Sequence, residues 1–115
     1  MAKLRFRPRA TFNADLKRLG RLDPTIIDEV RAAIDQILET GQLPDEYNDH
    51  PLKRRWDGYR EFHVRDTPHG ERLSDINDVL VIWYIERNEL VAVGVRVGSH
   101  NRLFPNQNSS KKYRK

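Results

Sequence analysis

The sequence predicts an α+β fold: an N-terminal strand, then an antiparallel helical hairpin packed on one face of a small, mainly antiparallel four-stranded sheet. Two patterns carry this reading. Between residues 11 and 41 the apolar side chains recur at the three- and four-residue spacing of helices. Between residues 59 and 97 they alternate or run continuously, as strands do, with polar turns between the runs. A chain of 115 residues without cysteine has the length of one domain and is held by its core rather than by disulfides. The expected organisation is a single domain over residues 1–104, followed by a basic, flexible tail over 105–115.

The elements follow in order. LRFRPR sets Leu4 and Phe6 against Arg5 and Arg7, a half-buried strand that Pro8 stops. In TFNADLKRLG, Thr11 is placed to cap a helix, Phe12, Leu16 and Leu19 share a face, and Gly20 offers an end. In LDPTIIDEVRAAIDQILETG, Asp23 is an N-cap and Pro24 suits the first turn. Ile26, Ile27, Val30, Ile34, Ile37 and Leu38 form one stripe, and Gly41 allows a left-handed stop. Residues 42–58 read as an ordered loop. In GYREFHVR, Phe62 and Val64 point one way and Tyr59, Glu61, His63 and Arg65 the other. DTPHGERLSDIN is a long polar hairpin loop, and DVLVIWYIE a continuous apolar strand at the centre of the sheet. LVAVGVRVGSH closes the sheet, with Val91, Val93, Val95 and Val97 on one face and Leu90, Ala92, Gly94 and Arg96 on the other. The valine face and the Phe62/Val64 face are expected to meet the helices. The opposite face, with His63, Arg96 and His100, is left partly open.

The net charge of +4 is unevenly spread. Lys3, Arg5, Arg7 and Arg9 begin the chain, Lys53, Arg54, Arg55 and Arg60 form a second cluster, and KKYRK ends it, while residues 21–49 are mildly acidic. This favours a polyanion or an acidic protein as partner. No run has the length of a signal peptide or a membrane span, so a cytoplasmic protein with no membrane partner is the expectation.

Histidines carry the chemistry. His50, His63 and His100 converge with Arg96, and imidazole both accepts and donates protons near neutrality. Such a set suits phosphodiester cleavage: one group takes the proton of an RNA 2′-hydroxyl, a cation offsets charge on the phosphate, and an acid protonates the leaving 5′-oxygen. Structural zinc is disfavoured, because the histidines are far apart in sequence and no cysteine accompanies them. His69, in a polar loop, is a bystander. Trp56 reads as a loop anchor and Trp83 as core, while Tyr59 is open to either core packing or base stacking.

YNDHPLKRRWDGYREFHV, DVLVIWY and VRVGSHNRLF resemble the YafQ-like branch of the RelE superfamily, ribosome-dependent mRNA interferase toxins of type II toxin–antitoxin pairs. The resemblance spans about residues 3–104, and TFNADLKRLG is similar to the family's first helix. It implies a RelE-like fold and cleavage of mRNA in the ribosomal A site to a 2′,3′-cyclic phosphate and a 5′-hydroxyl, without metal or cofactor. It also implies a cognate antitoxin as partner and contacts to 16S ribosomal RNA. By position, His50 and His63 match two active-site histidines and His100 the third. Arg96 matches the basic residue of the last strand, Phe104 the following aromatic, and Asp78 the active-site carboxylate. The loop DTPHGERLSDIND is longer than usual and Val79 stands where the family has Trp, so Asp66 and Asp75 are alternatives to Asp78. His100 is expected to be the general acid, and either His50 or His63 the base. Arg96, Arg60 and Lys53 are expected to bind phosphate, and Phe104, Tyr59, Arg54 and Arg55 to contact RNA. Two other readings stand beside this one. Relatives of the same fold poison gyrase by binding, and an inactive homologue would bind only RNA or antitoxin.

Overall fold

A computed structural model describes residues 4–105, so the basic tail expected beyond them lies outside the described residues. Strand β1 (Arg5–Pro8) leads into helices α1 (Ala10–Leu22) and α2 (Thr25–Thr40). Strands β2 (His50–Pro51), β3 (Arg60–Arg65), β4 (Val79–Glu86) and β5 (Val91–Gly98) follow, and a single turn, α3 (His100–Leu103), ends the order.

The helical hairpin forms as expected, with two local differences. Thr11 does not cap α1; its hydroxyl donates to Val95 O at 2.6 Å. Gly20 does not end α1 but lies inside it, where a Cβ would stand 2.4 Å from Ile27 Cδ1. The missing side chain therefore lets the two helices approach. Asp23 Oδ1 accepts from the Thr25 N–H at 3.0 Å and from the Thr25 hydroxyl at 2.6 Å, satisfying the start of α2. Gly41 stops that helix at φ 82°, its N–H donating to Ile37 O.

The sheet has five strands rather than four, in the order β1-β5-β4-β3-β2. β1 lies parallel to β5, and the other pairs are antiparallel. The additional strand, β2, is two residues inside the segment read as a loop, with His50 opposite Glu61 and Pro51 opposite Arg60. Two residues have no period to detect, and Pro51 confines the strand to an edge. Where β1 ends, α1 takes over the neighbouring edge of β5. The Arg9 N–H donates to Gly94 O at 2.8 Å, Thr11 to Val95 O, and the Val97 N–H to Asp15 Oδ2 at 3.0 Å. The helix thus satisfies backbone groups that a longer β1 would have paired.

The expected face of β5 is corrected by the structure. Val91, Val93 and Val95 lie away from the helices with Leu80 and Ile82, whereas Ala92 and Val97 join Phe12, Leu19, Ile26, Val30, Ile37, Phe62 and Trp83 in the main core. Gly94 faces the same core, and a Cβ there would meet Phe6 and Phe12 at 2.7–2.8 Å. Two rings take the space that a valine parity argument assigned to branched side chains. A register shift after Ile82 leaves Val95 as an extra residue and changes the phase, bringing Val97 to the helix side. A second shift between His63 and Arg65 turns Arg65 toward the helices, against the expected parity. Arg65 there donates to Glu29 at 2.7 and 3.0 Å, to Asp23 at 3.0 Å, to Thr25 Oγ1 and to Ile76 O. The second face is less open than expected: Leu103 and Phe104 complete an apolar patch on it, with Leu52, Trp56, Tyr59 and Tyr84 packed alongside. Trp56 anchors its loop in this way, and Trp83 is core.

Candidate active site

Three elements bring the histidines together. Glu61 and His63, two apart on β3, share a face. The β2 pairing sets His50 directly opposite Glu61. β5 delivers His100 to the first position of α3, where the Ser99 hydroxyl accepts from the Arg102 N–H at 3.2 Å. The His50 and His63 rings lie 6.2 Å apart between centroids, and those of His63 and His100 5.6 Å.

Carboxylates organise this row. Glu61 is 5% exposed, and its Oε2 lies 3.1 Å from both His50 Nε2 and His63 Nε2. His63 Nδ1 lies 2.6 Å from Asp66 Oδ1. With a carboxylate at each nitrogen, both N–H groups of His63 donate, which requires the imidazolium. The Glu61 hydrogen bond, with Asp66 beside it, overcomes desolvation and raises His63 to a pKa of about 9. Burial pushes the Glu61 carboxyl up, but the His63 hydrogen bond and the charges of His63, His50 and His100 outweigh it and hold the group below its ordinary value. Asp78 is 2% exposed and accepts from the His100 backbone N–H at 2.7 Å and from its Nδ1 at 2.9 Å. That bond fixes the ring's tautomer and leaves Nε2 for a substrate oxygen.

Each candidate carboxylate therefore has its own place. Asp78 holds His100, Asp66 holds His63, and Asp75 accepts from the Ser99 hydroxyl at 3.1 Å and from Arg102 at 3.4 Å. Arg96 is bound to Asp15 at 2.6 and 3.2 Å, and Arg60 to Asp49 at 3.0 and 3.2 Å, so neither is an unpaired cation waiting for phosphate. Trp83 Nε1–H also donates to Asp49, at 3.1 Å. Lys53, Arg54 and Arg55 are exposed. Tyr59 meets Trp56 edge to face, and Phe104, 8% exposed, meets Trp56 at 6.2 Å. Sequence reasoning placed Glu61 on this face but gave it no chemical role, although its two-residue spacing from His63 was a signal. His50, Glu61 and His63 have donor atoms within 4.8 Å of one another, close enough for a metal ion. An ion there would first have to displace the proton that His63 Nε2 gives to Glu61, while Nδ1–H could still donate to Asp66.

Comparisons with known proteins bear on the fold and the family. No curated protein matches the sequence significantly. Among solved structures, YafQ from E. coli strain BL21(DE3) is similar, with 23% identity and a TM-score of 0.63 over 89% of this chain and 99% of that one. The E. coli DinJ–YafQ toxin–antitoxin complex matches with 22% identity and a TM-score of 0.66 over 90% and 99%. A metal-bound toxin from Helicobacter pylori matches with 28% identity and a TM-score of 0.63 over 88% and 99%. These likenesses establish the RelE-like α+β fold. The family model described as the bacterial toxin of type II toxin–antitoxin systems, YafQ, matches residues 4–105, and the chain belongs to that family.

Proposed function

We propose that this toxin is a metal-independent, ribosome-dependent endoribonuclease that cleaves mRNA by attack of a 2′-hydroxyl on the adjacent phosphate. The observation that carries the reading is the row of three imidazoles seated on carboxylates, His50 and His63 sharing Glu61, His63 also on Asp66, and His100 on Asp78. In this reaction His50, seated on Glu61, takes the 2′-hydroxyl proton. The 2′-oxygen bonds to phosphorus, the bond to the 5′-oxygen breaks, and His100, entering the step as the imidazolium with Nδ1–H on Asp78, gives its Nε2 proton to that oxygen. The products are a 2′,3′-cyclic phosphate and a 5′-hydroxyl. His63, already an imidazolium, is unsuited to the base role and instead offsets charge on the phosphate, which favours His50 as the base. Asp78 is a positioning residue for His100.

The remaining assignments belong to the same proposal. Lys53, Arg54 and Arg55 bind the RNA backbone or 16S ribosomal RNA, and Arg60 and Arg96 reach phosphate only by exchange with Asp49 and Asp15. Tyr59 and Phe104 flank the bases. The partner is a cognate antitoxin, as supported by the DinJ–YafQ complex, and the site of action is the cytoplasm. Among the described residues no helix is long and apolar enough to cross a membrane.

His100→Ala tests the proposal. Expression of the native chain should arrest growth and leave discrete cuts in mRNA by primer extension, and the variant should do neither while still folding and binding antitoxin. Retained cutting would overturn the role of His100. Intact mRNA with broken DNA would favour gyrase poisoning, and damage to neither would mark an inactive homologue.

A further inference from the structure

The sheet face that holds the histidines also carries an aromatic run that proton transfer does not use. It begins at Phe104, which meets Trp56 at 6.2 Å. Trp56 meets Tyr59 edge to face at 5.3 Å, and Tyr59 meets Tyr84 at 5.4 Å and 89°. The Arg9 guanidinium lies 5.4 Å from the Tyr84 ring centre and 6.0 Å from that of Tyr59, and donates to the Tyr84 hydroxyl at 3.2 Å. Arg9 thereby fixes the pair of tyrosines without lining the space beside them.

That space is a hollow of ≈ 360 Å³ lined by Pro51, Leu52, Tyr59, Arg60, Tyr84 and Arg87, among others. The volume is at the small end of ligand sites and suits one flat ring with its sugar. Its walls combine tyrosine rings with Arg87 and with an Arg60 held by Asp49, and Asp57 also lines it; rings beside cations are the chemistry of single-stranded nucleic-acid recognition. Arg87, at the rim, and Lys53, Arg54 and Arg55, on the adjoining loop, are all exposed. Arg54 is held at φ 60°, a left-handed conformation unusual for arginine. The turn it makes lets Trp56 pack inward while the basic heads stay in solvent. Such strain in a non-glycine residue gathers at binding and catalytic sites.

We infer that this hollow is a nucleobase subsite: it takes one base of the single-stranded RNA flanking the cut, stacks it on the Tyr84 ring with the perpendicular Tyr59 ring at its edge, and neutralises its phosphate with Arg87. The inference rests on the endoribonuclease reading and deepens it by assigning residues to sequence preference. Tyr59 is four positions from His63 along an extended strand, about 13 Å at ~3.3 Å per residue. The bound base therefore belongs to a flanking nucleotide and not to the one being cut. An acidic protein segment would satisfy the cations but would bring no flat base to lay on the tyrosine ring.

The test uses the full chain in a His100→Ala background, with mRNA programmed on ribosomes and 2-aminopurine placed singly at positions around the cut. Stacking quenches this base at one flanking position. Tyr84→Ala should abolish the quench and weaken binding roughly ten- to a hundredfold, Tyr84→Phe should keep it, and Arg87→Gln should weaken binding without moving the quenched position. With His100 restored, Tyr84→Ala should spread the cuts over more sequences than the native chain uses. Quenching or cut positions unchanged in Tyr84→Ala overturn the subsite, and so does a loss confined to antitoxin binding. A native chain that cuts no RNA overturns the nuclease reading itself, a result distinct from a chain that cuts normally with Tyr84 replaced. Melting temperatures of Tyr84→Phe and Arg87→Gln close to native separate recognition from folding.

Discussion

Replacing His63 by Gln should remove a specific pH dependence of stability. The His63 side chain is 11% exposed and faces Glu61, Asp66, His50 and His100. Its pKa rises from an ordinary 6.5 to about 9 on folding. Below pH 6.5 both folded and unfolded chains carry the proton, so the stabilisation is fully present. Between 6.5 and 9 only the folded chain holds it, and stability falls by about 1.4 kcal/mol per pH unit. Above 9 the contribution is gone. The whole window amounts to roughly 3 kcal/mol, a large part of the stability of a small domain. Urea midpoints of the native chain should therefore drop by about 1–3 M from pH 6.5 to 9 relative to His63→Gln, at slopes typical of small proteins. The ring protons of His63 should titrate near 9 by NMR. Parallel pH profiles for the two proteins, or a His63 that titrates near 6.5, would refute the argument that both its N–H groups are committed to carboxylates.

Asp78→Asn should lower kcat for RNA cleavage by about two to three orders of magnitude with little change in KM, because it loosens the ring that delivers the proton; single-turnover cleavage at saturating RNA measures this. Gly94→Ala should destabilise the fold by roughly 1–3 kcal/mol, since the new methyl meets the Phe6 and Phe12 rings. A fall in melting temperature of about 5–15 °C would report it. Arg65→Ala should cost about 2–3 kcal/mol by releasing Glu29 and Asp23 of the helical hairpin from β3. Arg65→Lys should recover less than half of that in chemical denaturation, because an ammonium cannot reproduce the planar fork.

Much of the architecture was legible because it is written in periodicity. The stripe from Ile26 to Ile37 and the continuous run from Val79 to Ile85 leave few alternatives, and Gly41 marks its stop by chemistry. The errors fall where one residue shifts the phase. A bulge at Val95 and another next to Val64 change which way Val97 and Arg65 point, and strict alternation cannot reveal an inserted residue. β2 escaped because two residues have no period. At the candidate site, the histidines and Asp78 were visible as residue types in familiar strings. Their pairing was not, because Glu61 reaches His50 only across the β2–β3 pairing and Asp78 reaches His100 from just before the neighbouring strand β4. Arg96 shows the limit from the other direction: its position on the strand was readable, but its commitment to Asp15 depends on α1 lying along the edge of β5.

The parallel pairing of β1 with β5 joins the first described strand to the last, Arg5 opposite Val91. Contacts so distant in sequence form late, because a long loop has to close before they are made. During synthesis β1 waits without its partner until β5 has been added, Arg5 opposite Val91 and Pro8 opposite Gly94, and His100 is added later still. His50, Glu61 and His63 meet across the local β2–β3 pairing, but the row is completed only by His100. Whatever the complete row does to other molecules begins once His100 has been added, and not before.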